Sequence, residues 1–353
     1  MSVKESLLGT LPDGREVKRY TLTNQHGTEA SFTNLGGIWL TMLVQDRDGK
    51  RRDVVLGVDK VELLLQNPGH MGEPVGRNAN RIGQAGFDLN GKHYTLTAND
   101  AGVNNLHSGT DYWRTRIWDV AYDNAGLGSY VMFSLHSPDG DQGFPGNADV
   151  AVTYTLTEDD ALEIHYQATA DQDTVFNMTN HAYFNLNGYD SGDAMQQRVW
   201  IHADQYTPAS EISIPYGRIE SVAGTPMDFT TEKTIAEDID ADFDQLQFAH
   251  GYDHNYVLGD YDGDVRLVAS AYAKESGIQM SVFTDLEGMQ FYTANFMSDD
   301  FAGKGGVHFG PRQAYCFETQ HYPDCLHQPS WPTSIVKAGD SYDTRTIYKW
   351  ELR

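Results

Sequence analysis

The residues most informative about chemistry lie in one short segment, 179–186, which reads Thr-Asn-His-Ala-Tyr-Phe-Asn-Leu. If this segment is a β-strand, its polar face carries Thr179, His181, Tyr183 and Asn185, and its apolar residues lie on the opposite face. A histidine among hydrogen-bonding side chains suits proton transfer to a bound hydroxyl or ether oxygen, although a lone histidine is more often structural. The pattern predicts a strand with one packed face and one face toward a polar ligand.

A second candidate for proton transfer is the carboxyl group of Glu318. This residue falls near the end of a predicted strand at 314–319, on the side opposite Tyr315 and Phe317. A carboxylate in that position could act as a base beside a buried ligand. The plainer alternative is a salt-bridged glutamate on the surface.

Four further segments carry polar side chains that could converge on a ligand. Residues 76–83 place two arginines and two asparagines between glycines, which is either a set of donors for sugar hydroxyls or a solvated turn. Residues 104–109 add His107, a type of loop histidine that is more often a surface residue. Asp253, Asn255 and Gln290 lie among aromatic residues. Such a mixture suits a polyol, because its hydroxyls need hydrogen-bond partners and its C–H faces pack on rings.

Composition limits the possible partners. The 353 residues include 25 Lys and Arg against 50 Asp and Glu, for a formal charge of −25. This charge disfavours nucleic acids, anionic membranes and, less strongly, phosphorylated substrates. The sequence shows no signal peptide and no segment long enough for a transmembrane helix. We therefore expect a soluble, cytoplasmic protein that binds neither nucleic acid nor membrane.

The cysteines raise the question of a metal. Cys316 and Cys325 are expected to be reduced thiols in a cytoplasmic protein. With His321 and His327 they could form a zinc site, but these spacings match no compact ligand pattern. We predict no metal ligands and no cofactor.

The elements that must position these residues are mostly strands. Alternating residues on both sides of 158–160 predict a hairpin, and a second hairpin is predicted at 87–96 around the turn pair Asn90-Gly91. Further strands are predicted at 17–22, 39–44, 130–135, 199–203, 265–271, 278–283, 290–294 and 314–319. A helix is expected at 60–66, with Asp59 as its cap and Glu62 three residues later. This pattern favours an all-β fold, a large antiparallel β-sandwich, as one domain over 1–353.

Taken in order, these motifs resemble those of the aldose 1-epimerase family, also called the galactose mutarotase family. The resemblance extends over 76–332 and rests on Asn80-Arg81, Leu106-His107, residues 179–186, residues 252–256, residues 290–293 and residues 318–324. It implies a galactose mutarotase-like supersandwich whose cleft binds a free aldohexose such as galactose or glucose. It also implies roles for individual residues: Glu318 as general base, His181 as general acid, His107 assisting at the ring oxygen, and Asn80, Arg81, Asp253 and Gln290 holding hydroxyls.

Interconversion of α and β anomers fits these residue types. A base removes the proton of the C1 hydroxyl while an acid protonates the ring oxygen, and the open-chain aldehyde rotates before the ring closes again. Glu318 as a carboxylate and His181 as an imidazolium match the two roles near neutral pH. Two alternatives remain: a hexose-6-phosphate mutarotase, and a sugar-binding protein that has lost activity. We expect a monomer or a weak homodimer.

Overall fold

Strands form most of the regular structure of this protein. A computed structural model describes residues 2–123 and 128–353. In chain order, the first strands are β1 Ser2–Thr10, β2 Glu16–Thr23, β3 Glu29–Thr33, β4 Trp39–Gln45, β5 Arg51–Asp53, β6 Pro74–Val75, β7 Arg81–Ile82, β8 Gly86–Leu89, β9 Lys92–Thr95, β10 Asn105–Leu106, β11 Asp119–Asp123, β12 Gly128–Ser137, β13 Ala148–Thr157 and β14 Ala161–Ala170. The others are β15 Thr174–Val175, β16 Thr179–Asn180, β17 Arg198–Ile201, β18 Gln205–Thr207, β19 Glu220–Ser221, β20 Lys233–Thr234, β21 Asp253–Val257, β22 Arg266–Tyr272, β23 Ile278–Thr284, β24 Gly288–Tyr292, β25 Cys316–Gln320, β26 Ile335–Val336 and β27 Ser341–Leu352.

Helix is scarce. Two short α-helices lie in the described part of the chain, α1 Val61–Gln66 and α2 Asp244–Ala249, together with 3₁₀ turns that include Pro68–His70 and Trp113–Thr115. None of the helices within 2–123 and 128–353 has the length and apolar character needed to cross a membrane.

Three large antiparallel sheets carry the fold. The longest has nine strands in the order β11-β12-β13-β14-β27-β23-β22-β17-β20. A second sheet is the meander β1-β2-β3-β4-β5, and a third has the order β19-β18-β21-β24-β25. Strands β24 and β25 pair so that Gln290 faces Glu318, and β21 pairs with β24 so that Asn255 faces Gln290. These pairings align polar residues from three strands in one row.

Both five-stranded sheets pack on the nine-stranded sheet. From the meander, Phe32 stacks on Tyr154 of β13 with ring centroids 4.2 Å apart, and Trp39 lies 5.9 Å from the ring of Tyr348 in β27. From the third sheet, the backbone oxygen of Phe317 accepts a 2.8 Å hydrogen bond from the Tyr348 hydroxyl. One buried apolar cluster includes residues of all three sheets. The architecture is the predicted large antiparallel sandwich.

The sequence predicted the strands well wherever the alternation of residues was regular. The hairpin around 158–160 is confirmed as β13 and β14, with Leu156 opposite Leu162. The second hairpin is confirmed as β8 and β9, and its turn residues Asn90 and Gly91 have φ of 52° and 76°. Both positive φ values are those that a type I′ turn needs. Alternation and turn residues together located these elements.

Three details differ from the prediction. Helix α1 begins after Lys60 without a side-chain cap, and the Asp59 carboxylate instead accepts the Gly305 N–H at 3.1 Å. The predicted strand at 179–186 ends at Asn180, after which Phe184 forms only isolated bridges to other segments. Helix α2, which has six residues, was not predicted.

Arg77 is a structural residue rather than a donor for sugar hydroxyls. Its side chain is fully buried, and burial lowers its pKa to about 10. The guanidinium donates hydrogen bonds to the backbone oxygens of Ser137, Pro145 and Gly146 at 2.9, 2.7 and 2.9 Å. It therefore ties the 76–83 loop to the end of β12 and to the segment that leads into β13.

We predict that Arg77→Ala destabilises the protein by about 3 kcal/mol or more, because several buried carbonyl oxygens lose their donor together. Arg77→Lys should give a smaller loss, since an ammonium group reaches fewer of these oxygens. Arg15→Ala is the control: its side chain is 55% exposed, and we expect a change within about 0.5 kcal/mol. Urea unfolding would measure all three. Equal stability of Arg77→Ala and Arg15→Ala would contradict the structural role.

Candidate active site

The predicted site residues converge on one pocket of about 580 Å³. Its lining contains Gly69, His70, Asn80, Arg81, Leu106, His107, His181, Tyr183, Asp253, Tyr292, Phe296 and Glu318. Six of the seven predicted residues are in this lining, and Gln290 lies directly behind it. A larger pocket of about 780 Å³, near His26 and Trp350, contains none of them.

Glu318 enters the pocket from β25, an edge strand of the third sheet. Only 3% of its side chain is exposed, and its Oε2 atom has no hydrogen-bond partner among the described residues. Burial, and then the nearby charge of Asp253, raises the pKa of Glu318 well above its ordinary value. A buried carboxylate oxygen without a donor is costly, so this oxygen is available to a hydroxyl group of a ligand.

His181 faces Glu318 across the pocket. Its backbone is held at both ends, because its N–H donates to the Glu73 oxygen and its own oxygen accepts from Gly72, each at 2.9 Å. Its ring stacks on Tyr183 with centroids 4.9 Å apart, and Nδ1 lies 3.5 Å from the Cys316 sulfur. Nε2 is 3.7 Å from Glu318 Oε2. Nε2 is therefore the nitrogen that meets a ligand.

Backbone geometry fixes the proton of His107. The N–H of Asn80 points to His107 Nδ1 at 3.1 Å, and the N–H of His107 donates to the Asn80 oxygen at 3.0 Å. Because Nδ1 accepts a hydrogen bond, the neutral imidazole carries its proton on Nε2. The ring lies 5.4 Å from that of His181, in an edge-to-face arrangement. His107 is thus a neutral donor beside His181.

Both histidines are neutral at pH 7. Burial lowers the pKa of His181 to about 3, and burial likewise lowers the pKa of His107 well below its ordinary value. The lowered pKa of His181 disfavours the imidazolium expected near neutral pH in the unliganded protein, and the general-acid role of His181 stays a prediction. The raised pKa of Glu318 and the lowered pKa of His181 both favour the carboxyl group as the site of the proton that the pair shares.

The predicted hydroxyl-binding residues form a hydrogen-bonded layer. Arg81 Nε donates to Asp100 at 3.0 Å, which orients the guanidinium. Asp253 accepts a 2.7 Å hydrogen bond from the Gln290 side chain, and burial raises the pKa of Asp253. Gln290 therefore positions Asp253 rather than lining the pocket. Asn80 donates to Gln320 at 3.4 Å.

Similarity to known proteins identifies the family of this chain. The sequence model described as Aldose 1-epimerase matches residues 18–349. Galactose mutarotase of Bos taurus is 36% identical over 353 residues, which cover 100% of this chain and 99% of the relative. Aldose 1-epimerase of Escherichia coli K12 is 34% identical, with 96% of each chain covered. This chain belongs to the aldose 1-epimerase family.

Solved structures support the family assignment and the fold. An aldose epimerase homologue from C. elegans has a TM-score of 0.85 and 28% identity, with 94% of this chain and 98% of that chain covered. Galactose 1-epimerase from Lactobacillus acidophilus also has a TM-score of 0.85, at 25% identity and 99% coverage of both chains. The predicted galactose mutarotase-like fold is confirmed.

Some residues of this pocket were not predicted from the sequence. His70 reaches the lining from a 3₁₀ turn, and Glu73 stands behind it. Phe296 lies at the pocket with 60% of its surface exposed, and its ring lies nearly parallel to that of Tyr292. The spacing of a histidine and a glutamate three residues apart could have identified His70 and Glu73 as a candidate acid–base pair. No period or motif marked Phe296.

The four residues weighed as a zinc site have separate partners. Cys316 lies beside His181, and Cys325 contacts Ser334. His321 contacts Glu287, and His327 contacts Asp324. In residues 2–123 and 128–353, the group with metal-ligand spacing is instead His107, His181 and Glu318, whose ligand atoms lie within 4.8 Å of one another. These are the groups assigned to proton transfer, and the absence of a metal ligand role stays a prediction.

The raised pKa of Glu318 has a measurable effect on stability. Between the unfolded and the folded pKa values of Glu318, the folded state holds a proton that the unfolded state has released, so wild-type stability falls as pH rises. Glu318→Gln removes this cost. We predict that its melting temperature exceeds that of the wild type and that the excess grows from pH 5 to pH 8. The exposed Glu62→Gln is the control and should show no such trend. An excess that shrinks as pH rises would refute the assignment.

Proposed function

We propose that this protein is an aldose 1-epimerase, a mutarotase that interconverts the α and β anomers of free aldohexoses such as galactose and glucose. The observation that carries the proposal is the unpaired Oε2 of Glu318, 3.7 Å from Nε2 of His181, in a pocket of about 580 Å³. Family membership along the whole chain supports the same reaction.

In the proposed mechanism, Glu318 removes the proton of the C1 hydroxyl and His181 protonates the ring oxygen. The bond between C1 and the ring oxygen breaks, and the open-chain aldehyde rotates about C1–C2. Ring closure on the other face of the carbonyl returns both protons. The reaction has no net proton change, so the single proton that Glu318 and His181 share is sufficient. The reaction starts from the state in which Glu318 is a carboxylate and His181 carries the shared proton.

The neighbouring groups stabilise this sequence. His107, with its proton on Nε2, donates a hydrogen bond to the ring oxygen and favours negative charge there. Asn80, Arg81 and Asp253 hold hydroxyls while C1 turns, and Gln290 keeps Asp253 in place. The ring is thus held and its anomeric carbon stays free to rotate.

Two alternatives are less well supported. A hexose-6-phosphate mutarotase needs a cationic site for the phosphate, yet the arginine in the pocket lining is Arg81, which is paired with Asp100. Arg77 is buried away from the pocket. A binding protein without activity has no need for an unpaired, desolvated carboxylate beside a histidine. We propose catalysis for this reason.

The proposal extends to the state of the protein in the cell. We propose that residues 1–353 act as one domain, as a monomer or a weak homodimer in the cytoplasm, without a cofactor. The formal charge of −25 supports a protein that avoids nucleic acid and anionic membranes. Cys316 and Cys325 are both buried and unpaired, which fits a reducing compartment.

Polarimetry on freshly dissolved α-galactose and α-glucose would test the activity directly. We expect the wild type to accelerate mutarotation and Glu318→Gln to lower kcat about 100-fold or more, since glutamine keeps the shape but not the basicity. Glu287→Gln is a matched control, because Glu287 is a buried carboxylate that contacts His321 and lies outside the pocket. Normal turnover by Glu318→Gln would exclude it as the base.

Substitutions of Asp253 and of Gln290 should change kcat and KM in different ways. Asp253→Ala removes a pocket contact that also holds the ring during rotation, so we expect a lower kcat and a higher KM. Gln290→Ala acts through Asp253 and should chiefly raise KM, by about 10-fold. Both are measured by the same polarimetric assay. Unchanged constants for Asp253→Ala on both sugars would place Asp253 outside the sugar site.

A further inference from the structure

A third histidine, His70, lies in the pocket with no role in the mechanism above. Its ring is 4.9 Å from that of His107 and 6.0 Å from that of His181, nearly parallel to the latter. Its side chain is 17% exposed. Nδ1 lies 2.9 Å from a Glu73 carboxylate oxygen and 3.3 Å from Nη1 of Arg114, and Nε2 has no hydrogen-bond partner among the described residues. His70 therefore offers an unused polar atom within the pocket.

Glu73 is built to hold this ring. The other oxygen of its buried carboxylate accepts hydrogen bonds from Asn67 at 2.8 Å and from Arg114 at 3.2 Å. Burial opposes ionisation of Glu73, but His70, Arg114 and Asn67 together hold its pKa below the ordinary value. The shorter Nδ1 contact is the one to the ionised Glu73 carboxylate, so Nδ1–H donates to that carboxylate. Nε2 of the neutral imidazole is then the acceptor for a hydroxyl O–H.

The turn that carries His70 is also fixed. His70 has φ of 60° and follows Gly69, whose backbone oxygen accepts a 2.8 Å hydrogen bond from the Tyr183 hydroxyl. The backbone oxygen of Glu73 accepts the N–H of His181. The same short segment thus sets the positions of both His70 and His181. A rigid support of this kind suits a group that must recognise a ligand.

The pocket has two walls that differ in chemistry. The sheet wall consists of Asp253 and Glu318, which extend from strands of the third sheet. The histidine wall consists of His70, His107 and His181, which come from loops and turns outside that sheet. If Glu318 takes the C1 hydroxyl and His181 meets the ring oxygen, the sugar points C1 toward the sheet wall. The other neighbour of the ring oxygen is C5, so its exocyclic C6 group is directed toward the histidine wall.

We infer that His70, oriented by Glu73, binds the 6-hydroxyl of the aldohexose and makes the enzyme prefer hexoses with that group. The inference rests on the proposed function, because the orientation of the sugar follows from the roles of Glu318 and His181. In this assignment His70 contacts substrate, and Glu73 is a positioning residue that acts through it.

Sugars that lack the hydroxyl provide the test. D-fucose is D-galactose without the 6-hydroxyl, and L-arabinose lacks the whole C6 group. We expect the wild type to turn over galactose with kcat/KM about 10-fold above that for fucose. In His70→Phe the galactose value should fall about 10-fold, mainly through KM, while the fucose and arabinose values stay within about twofold. Such non-additivity is the mark of a direct contact.

Three more variants sharpen the result. His70→Gln places an amide near the position of Nε2, so this variant should keep part of the galactose preference that His70→Phe loses. It also tests the contact if His70→Phe folds poorly. Glu73→Gln loses the charge that orients His70 and should reduce the galactose-to-fucose ratio with little change for fucose. His93→Gln alters an exposed histidine that contacts Asp88, and it should keep the wild-type ratio.

The outcomes separate the inference from the proposed function. A wild type that turns over none of the three sugars would refute the mutarotase activity itself. An active wild type whose His70→Phe variant loses galactose and fucose turnover equally would show that His70 serves proton transfer or folding, which overturns the 6-hydroxyl assignment. An unchanged galactose-to-fucose ratio in His70→Phe overturns it as well and leaves the mutarotase proposal intact.

Discussion

The unpaired, buried oxygen of Glu318 is the constraint on which the site depends. A carboxylate removed from water is destabilised, and Glu318 receives no donor in compensation from the described residues. This cost is tolerated because β25 is held rigidly, with its Phe317 oxygen bonded to Tyr348 of the long sheet. The sandwich thus holds a reactive group in a position that an isolated loop could not maintain.

A second layer of amides connects this group to the binding residues. Gln320 donates to Asn255 at 3.2 Å and to Gln290 at 3.3 Å, while it accepts from Asn80. Asn80 belongs to the 76–83 loop, whereas the other residues belong to the third sheet. The network therefore joins the two sides of the pocket through neutral groups, which fix geometry without adding charge to an already acidic site.

Most of the fold and the seven proposed site residues were predicted from the sequence. The features that were not predicted were missed for physical reasons. Alternation and the Asn90-Gly91 turn located hairpins because those signals are local. The contact of His70 with the rings of His107 and His181 depends on which backbone groups of 72–73 pair with His181, and such long-range pairing is not encoded by spacing. The low pKa of His181 was missed for a similar reason, since burial is a property of the assembled pocket.

The hydrogen bond from the Asn80 backbone to His107 has a consequence for evolution. The donor is a main-chain N–H, so a change of side chain at position 80 leaves the tautomer of His107 as it is. Proline alone lacks this N–H, yet Asn80 has φ of 59°, which a proline ring cannot adopt. Among the residues that accept this positive φ, chiefly Gly, Asn and Asp, the side chain at position 80 can therefore change while the proton on the neighbouring imidazole stays on the same nitrogen.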